Sequence, residues 1–143
     1  ATLTQTVKVP ISADEAVHQI SDILMLWKCR AIDGVGLKTN KLGGVTAVVD
    51  AGIVCEALGL SLNLAMMMES SLASAAMVHA ACAVVGLDWG LVLGNLSLAV
   101  DPVVAPIVCI DGHATPPLGP GLGVQIDLEV LRQFSTGWNA VPG

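Results

Sequence analysis

A chain of 143 residues that is 54% hydrophobic, 3% aromatic with no tyrosine, and only 13% charged is mostly interior. Such a composition excludes intrinsic disorder, which needs low hydrophobicity and high charge. Six Lys and Arg against twelve Asp and Glu give a net charge of −6, and no Lys or Arg stands between Lys41 and Arg132, which excludes a nucleic-acid groove.

In chain order, residues 8–11 read as a short strand. Residues 14–29 read as a helix with an apolar stripe through Ala16, Ile20, Ile23, Leu24 and Trp27, and Ser12 as its cap. Residues 32–37 form a second strand, and 45–58 a helix stopped by Gly59. Residues 60–67 are a third strand, 72–85 an Ala-rich helix closed by Gly86, and 87–93 a fourth strand. The alternation has a period of roughly 25–30 residues, the size of a βαβ unit. The strands lack polar/apolar alternation, as strands buried on both faces do. The fold class is therefore parallel α/β. After Asp101 the style changes: five prolines and four glycines from Pro102 to Gly123 punctuate a turn-rich tail, with short strands expected at 107–110 and 124–126. A short helix at 127–134 capped by Asp127 follows, and the last nine residues read as a fraying end.

Residues 70–87 carry no Lys, Arg, Asp or Glu, the lower edge of membrane-spanning length. They contain Ser, His and Gly and are flanked by Glu69 and Asp88 rather than by basic residues, so no span is expected. No basic n-region precedes an apolar run, so no signal peptide is visible and a cytoplasmic location is expected. Cys29, Cys55, Cys82 and Cys109 are isolated, with no metal-binding spacing. Three of them lie in apolar runs and read as small core hydrophobes with reduced thiols.

Active sites of parallel α/β structures gather at the C-terminal ends of the strands. The expected exits carry Asp14, Lys38, Glu69 and Asp88, each interrupting an apolar stretch. Removing such groups from water is costly unless they pair or bind a cation. Three carboxylates and a lysine at one mouth are either a salt-bridge network or a hard-cation site beside a base. Each also has a plainer reading. Asp14 and Glu15 could serve a helix dipole, and Lys38 and Lys41 could be solvated strand-end lysines. Gly43–Gly44 is too weak a signal for a phosphate loop. His79 falls on an apolar helix stripe and reads as a packed histidine, while His18 and His113 have no partner at ligand spacing. Met66, Met67 and Met68 read as core packing, with Met68 reaching the pocket as an adaptable wall. Trp89 either lines the pocket or plugs a barrel floor.

The segments PISADEAV (10–17), GVGLKTNKLGGVT (34–46), NLAMMMESSLASAAMVHAA (63–81), GLDWG (86–90) and PGLGVQID (120–127) resemble the enolase superfamily. The likeness is to the C-terminal half of its muconate-lactonizing, mandelate racemase-like branch, across residues 7–134. It implies the second half of a (β/α)7β TIM-like barrel, strands five to eight over residues 1–100, with residues 101–143 a C-terminal extension returning toward a capping domain. It implies that Asp14 is one ligand of Mg2+ or Mn2+ with Glu15 beside it. Lys38 would be the base that takes or returns a proton α to a substrate carboxylate, provided that its pKa falls toward neutrality. Glu69 would match an acid on the seventh strand, Asp88 a residue that grips a substrate ammonium, and Lys41 a structural neighbour.

The resemblance implies racemisation or epimerisation, cycloisomerisation, or β-elimination of a small carboxylate, an isomerase or lyase activity. The opposing K-x-K base and further metal carboxylates are absent from these residues, so activity is expected only with the other barrel half. The alternative is a non-catalytic half-barrel that acts through association with a complementary half or other copies of the chain, since half a barrel leaves strand edges and an apolar face to cover.

Overall fold

The sheet is built around β2 (Gly34–Leu37), whose four residues are all buried, with β1 (Ser12–Ala13) and β3 (Ser61–Leu64) paired to it in parallel. A computed structural model of the chain describes residues 1–136. Ala13 pairs with Val35, and Leu37 with Leu64, so the strands leave the sheet nearly level. A single parallel bridge, Leu64 to Leu91, extends the sheet by a fourth position.

Helices cover one face. α1 (Thr2–Thr6) precedes β1, α2 (Ile20–Lys28) follows it, and α3 (Thr39–Leu42) and α4 (Val45–Leu58) connect β2 to β3. α5 (Ser71–Ala83) follows β3, and α6 (Leu128–Phe134) lies in the tail. Val35, Leu37, Leu62 and Leu64 meet Ile23, Val48 and Met77 in one core. Full burial of each such side chain is worth about 1.5–3 kcal/mol. α4 ends where Gly59 takes φ 69°, the left-handed conformation that glycine adopts freely.

Side chains alternate across a strand, so with Val35 and Leu37 in the core, Gly34, Gly36 and Lys38 face the opposite, inner side. The ring of Trp89 lies over Gly34 there, and the Asp14 carboxylate lies over Gly36. This is the wall of a parallel α/β part-barrel, its inner face carrying small and polar residues.

Several boundaries differ from expectation. The first strand is at Ser12–Ala13 rather than 8–11, so Ser12 is no helix cap. α2 begins six residues later than expected, because residues 14–17 make a turn closed by Val17 N to Asp14 O, and Gln19 and Asp22 then form a reciprocal capping box. Residues 87–93 make the one bridge rather than a full strand, and residues 107–110 and 124–126 contribute only isolated bridges. β3 alternates between half-buried and buried residues, so only β2 is enclosed on both faces. Asp127 caps α6 as expected, accepting from the amides of Glu129 and Val130. The fraying end expected for the last nine residues falls mostly outside the described residues.

Only Cys55 is buried. Cys29, Cys82 and Cys109 are exposed, which corrects the core role expected for three cysteines: Cys29 follows the end of α2, Cys82 lies in the last turn of α5, and Cys109 lies in the irregular tail. Among the described residues no helix is long and apolar enough to cross a membrane. The tail folds back over α5, where Ile107 joins Ala75 and Val78 in a second, smaller core.

Candidate active site at the strand exits

Asp14 and Glu15 leave β1 immediately after Ala13, and Lys38 leaves β2 immediately after Leu37. The pairing of Ala13 with Val35 puts Asp14 level with Gly36, and a β-carbon there would stand 3.2 Å from Asp14 Oδ1. The missing side chain therefore gives the carboxylate its path to Lys38, whose Nζ lies 3.0 Å from Asp14 Oδ1. Lys38 has extended backbone angles and is 5% exposed, so its stem crosses the inner face and its ammonium has few waters.

Glu15 sits between two lysines. Its Oε1 accepts from Lys38, and its Oε2 lies 2.5 Å from Lys41 Nζ. Lys41 stands three residues beyond Lys38 on α3, the spacing that brings helical neighbours onto one side. Its Nζ is also 3.5 Å from the carbonyl of Asp14. The hydrogen bonds from Lys38 and Lys41 pull the Glu15 carboxyl down to about 2. The Glu15 hydrogen bond, with that of Asp14, pushes the Lys38 ammonium above its ordinary value despite burial. This corrects the expectation of a lysine tuned toward neutrality: in the residues described, two carboxylates outweigh desolvation.

Glu69 follows β3, and its Oε2 accepts from the Met67 amide at 3.1 Å, so it braces its own loop. Met66 is buried, but Met67 and Met68 are 52% and 77% exposed, which restricts the expected core packing to Met66. Asp88 lies at the wrong end for a strand exit. It precedes Leu91, the residue level with the end of β3, by three positions, and Val92 and Leu93 occupy the exit instead. The expected strand at 87–93 contains Leu91 but has Asp88 at its start, so the exit role expected for Asp88 falls at the wrong end of it. Trp89 is on the same side as Asp88, its amide donating to Leu62 O at 3.0 Å and its ring over Gly34, so it belongs to the barrel floor. His79 is half-buried, with Nε2 3.2 Å from Leu122 O, as a packed histidine would be.

The chemistry of Asp14 suits one ligand of a hard divalent cation. Its neighbours do not complete a site, because among the described residues no three His, Cys, Asp or Glu side chains are grouped to hold a metal. Glu15 is committed to both lysines. What the cluster does hold is a buried ammonium, with its proton directed between two carboxylates at the barrel mouth.

Sequence reasoning missed two features. Gly36 lies two residues before Lys38, and the rule that alternate strand residues share a face could have marked it as the gap for Asp14. The tie of Asp101 to Ser71 spans 30 residues and has no local signal.

The family model described as enolase C-terminal domain-like matches residues 1–130. Muconate cycloisomerase 1 of Rhodococcus opacus is 34% identical over 136 residues, covering 94% of this chain and 36% of its own. The o-succinylbenzoate synthase of Mycobacterium marinum is 32% identical over 116 residues, 81% of this chain and 35% of its own. The crystal structure of 2-chloromuconate cycloisomerase from Rhodococcus opacus 1CP superimposes with a TM-score of 0.89 and 31% identity, covering 95% of this chain and 38% of that one. The chain thus spans about 36% of the length of the curated cycloisomerases it matches.

Proposed function

The chain belongs to the enolase C-terminal domain-like family, and from that membership we propose that it contributes the lysine side of an active site that moves a proton α to a carboxylate. The observation that carries this reading is Lys38, buried at a strand exit and aligned by Asp14 and Glu15. The reaction class is that of an isomerase or lyase, and cycloisomerisation of a muconate-like diacid is favoured over epimerisation of an amino acid. Relatives named for muconate support the first, and the position of Asp88 away from the mouth removes the group expected to grip an ammonium.

In this reading Lys38 receives the α-proton when neutral and returns it when charged. Its carboxylate neighbours fix the direction of Nζ, and burial excludes water from the transfer. The ion-paired state favours the charged form, so the chain by itself is poised to donate. Asp14 would contribute one oxygen to Mg2+ or Mn2+, with the remaining ligands supplied by the barrel portion that these residues do not include. When bound, such an ion would stabilise the negative charge developing on the substrate carboxylate. The complementary barrel portion is the expected partner, and a cytoplasmic location is part of the same proposal.

The second reading, a non-catalytic part-barrel that works by association with a complementary part or with its own copies, rests on β1. Among the described residues, its outer edge has no strand paired to it.

The test is to co-express the chain with the remaining portion of the Rhodococcus opacus enzyme. The assembly is then incubated with Mg2+ in D2O and the lactone of muconate, and loss of the α-proton signal is followed. Exchange that disappears in K38A supports the catalytic reading. Exchange unchanged in K38A removes Lys38 as the base, and formation of the assembly without exchange favours association.

A further inference from the structure

The segment after the fourth sheet position is fastened to α5 by buried polar groups. Asp101 accepts the Ser71 amide on both oxygens, at 3.1 and 3.0 Å, and the Ser71 hydroxyl at 2.5 Å. The same hydroxyl oxygen accepts the Ile107 amide at 2.8 Å. Asn95 donates to Ile107 O at 2.8 Å and accepts from Ser74 at 2.7 Å, and Ser74 Oγ is 3.6 Å from Met66 Sδ. Ser71 and Ser74 are fully buried. Buried hydrogen bonds of this kind define one arrangement, because breaking any of them strands a polar group away from water.

The fastened segment lies against the loop that leaves β3. A β-carbon on Gly94 would collide with Met67 O and stand 3.0 Å from the Glu69 amide, so Gly94 lies flush against the Met67–Glu69 backbone. That loop is part of the mouth. Ala65 donates to Leu37 O at 2.9 Å, which puts the start of the loop beside the exit that carries Lys38. Met67 and Met68 then project from it as exposed, flexible side chains.

We propose that Asp101 is a positioning residue for the barrel mouth: by tying residues 94–107 to the start of α5, it sets the Met67–Glu69 loop as a wall beside Lys38. Asp101 touches neither Lys38 nor its carboxylates, and acts through Ser71, Ile107, Asn95 and Gly94. The role of that wall in holding a substrate rests on the proposed function above. The placement of the loop does not.

The experiment labels the methionine methyl groups of the chain with 13C and compares wild type with D101A, D101N and G94A. D101A is expected to shift or broaden the Met66, Met67 and Met68 signals and leave Met25, on α2, in place. D101N keeps one acceptor oxygen and is expected to give smaller shifts of the same signals. G94A, which removes no hydrogen-bonding group of the tie but presses a methyl group on the Met67–Glu69 backbone, is expected to shift Met67 and Met68 as well. If D101A does not fold, D101N decides the question. Wild-type positions for Met66–Met68 in a folded D101A or D101N overturn the proposal, and a folded G94A with Met67 and Met68 unmoved overturns the Gly94 contact through which it acts. In the co-expressed assembly with muconate, D101A is expected to raise KM several-fold with kcat within twofold. A fall in kcat at constant KM overturns the binding role of the wall. If the wild-type assembly exchanges no α-proton, the proposed function fails, and the methyl spectra still decide the role of Asp101.

Discussion

Asp14 Oδ1 and Lys38 Nζ are 3.0 Å apart because Gly36 leaves the space between them open. The inner face of β2 thus carries two glycines with different tolerances. A methyl group on Gly36 meets Asp14 Oδ1 at 3.2 Å, where a half-exposed carboxylate can yield. A methyl group on Gly34 meets Ser61 O at 2.5 Å, and that oxygen is main chain of the neighbouring strand. G34A should therefore lower stability by about 1–3 kcal/mol, the usual cost of overpacking. G36A should cost less and mainly displace Asp14. Urea denaturation of the two variants checks the order, and equal costs would argue against the close β2–β3 approach at Gly34.

Lys38 and Lys41 share Glu15 but have unequal roles. Lys38 is the lysine in contact with both carboxylates, and it faces the inner side of the sheet. Removing a positioned acid–base group typically costs about 10²–10⁴ in rate. K38A should lower α-proton exchange by the reconstituted assembly by that order. K41M leaves Lys38 and its Asp14 contact intact, so its effect should be distinctly smaller. Equal losses would make the pair a joint structural unit.

The ion cluster also predicts a pH dependence. Glu15 is held at about 2 against an ordinary 4.5 by its two lysines, and Asp22 is lowered by the His18 amide it accepts. For both, the unfolded chain binds protons before the native state does, so their stabilisation is complete above the unfolded value. It is lost as pH falls from there through the folded one. Lys38, raised, gives the opposite limb: its contribution is full below its ordinary value of 10.5 and lost as pH rises through the folded one. Urea midpoints measured from pH 5 to pH 2 should fall less steeply in E15Q than in wild type. An unchanged slope would show that the Glu15 ion pairs do not persist in solution.

These features differ in how far they can be read from sequence, for physical reasons. β2 and its lysine are legible because a short apolar run ending in Lys38 has one sensible direction of travel, and parallel strands deliver their ends to one side. The convergence of Asp14 on Lys38 follows from the same logic. Asp88 fails because it stands at the start of the apolar run 87–93, where a parallel strand enters rather than leaves, and Leu91 is the residue that pairs with the end of β3. The start of α2 is misplaced because Gln19 and Asp22 cap it, a pairing weaker in sequence than the acids at 14 and 15. The tie of Asp101 to Ser71 belongs to tertiary packing alone, with no periodicity to announce it.

The four thiols offer a check on the core itself. Cys55 is 1% exposed on α4 and burial pushes its thiol up to about 11, whereas Cys29, Cys82 and Cys109 are exposed. A thiolate is the reactive species, so burial protects Cys55 both by access and by protonation. Iodoacetamide at pH 8 should label three cysteines of the native chain quickly and Cys55 only on unfolding. The raised thiol also has a sign: between about 9 and 11 the native state keeps a proton that the unfolded chain has lost, so stability should decline over that range. C55A removes this contribution to the alkaline limb while leaving that of Lys38. Rapid native labelling of Cys55 would mean that α4 opens away from the sheet, and with it the packing that holds β2 and Lys38 in place.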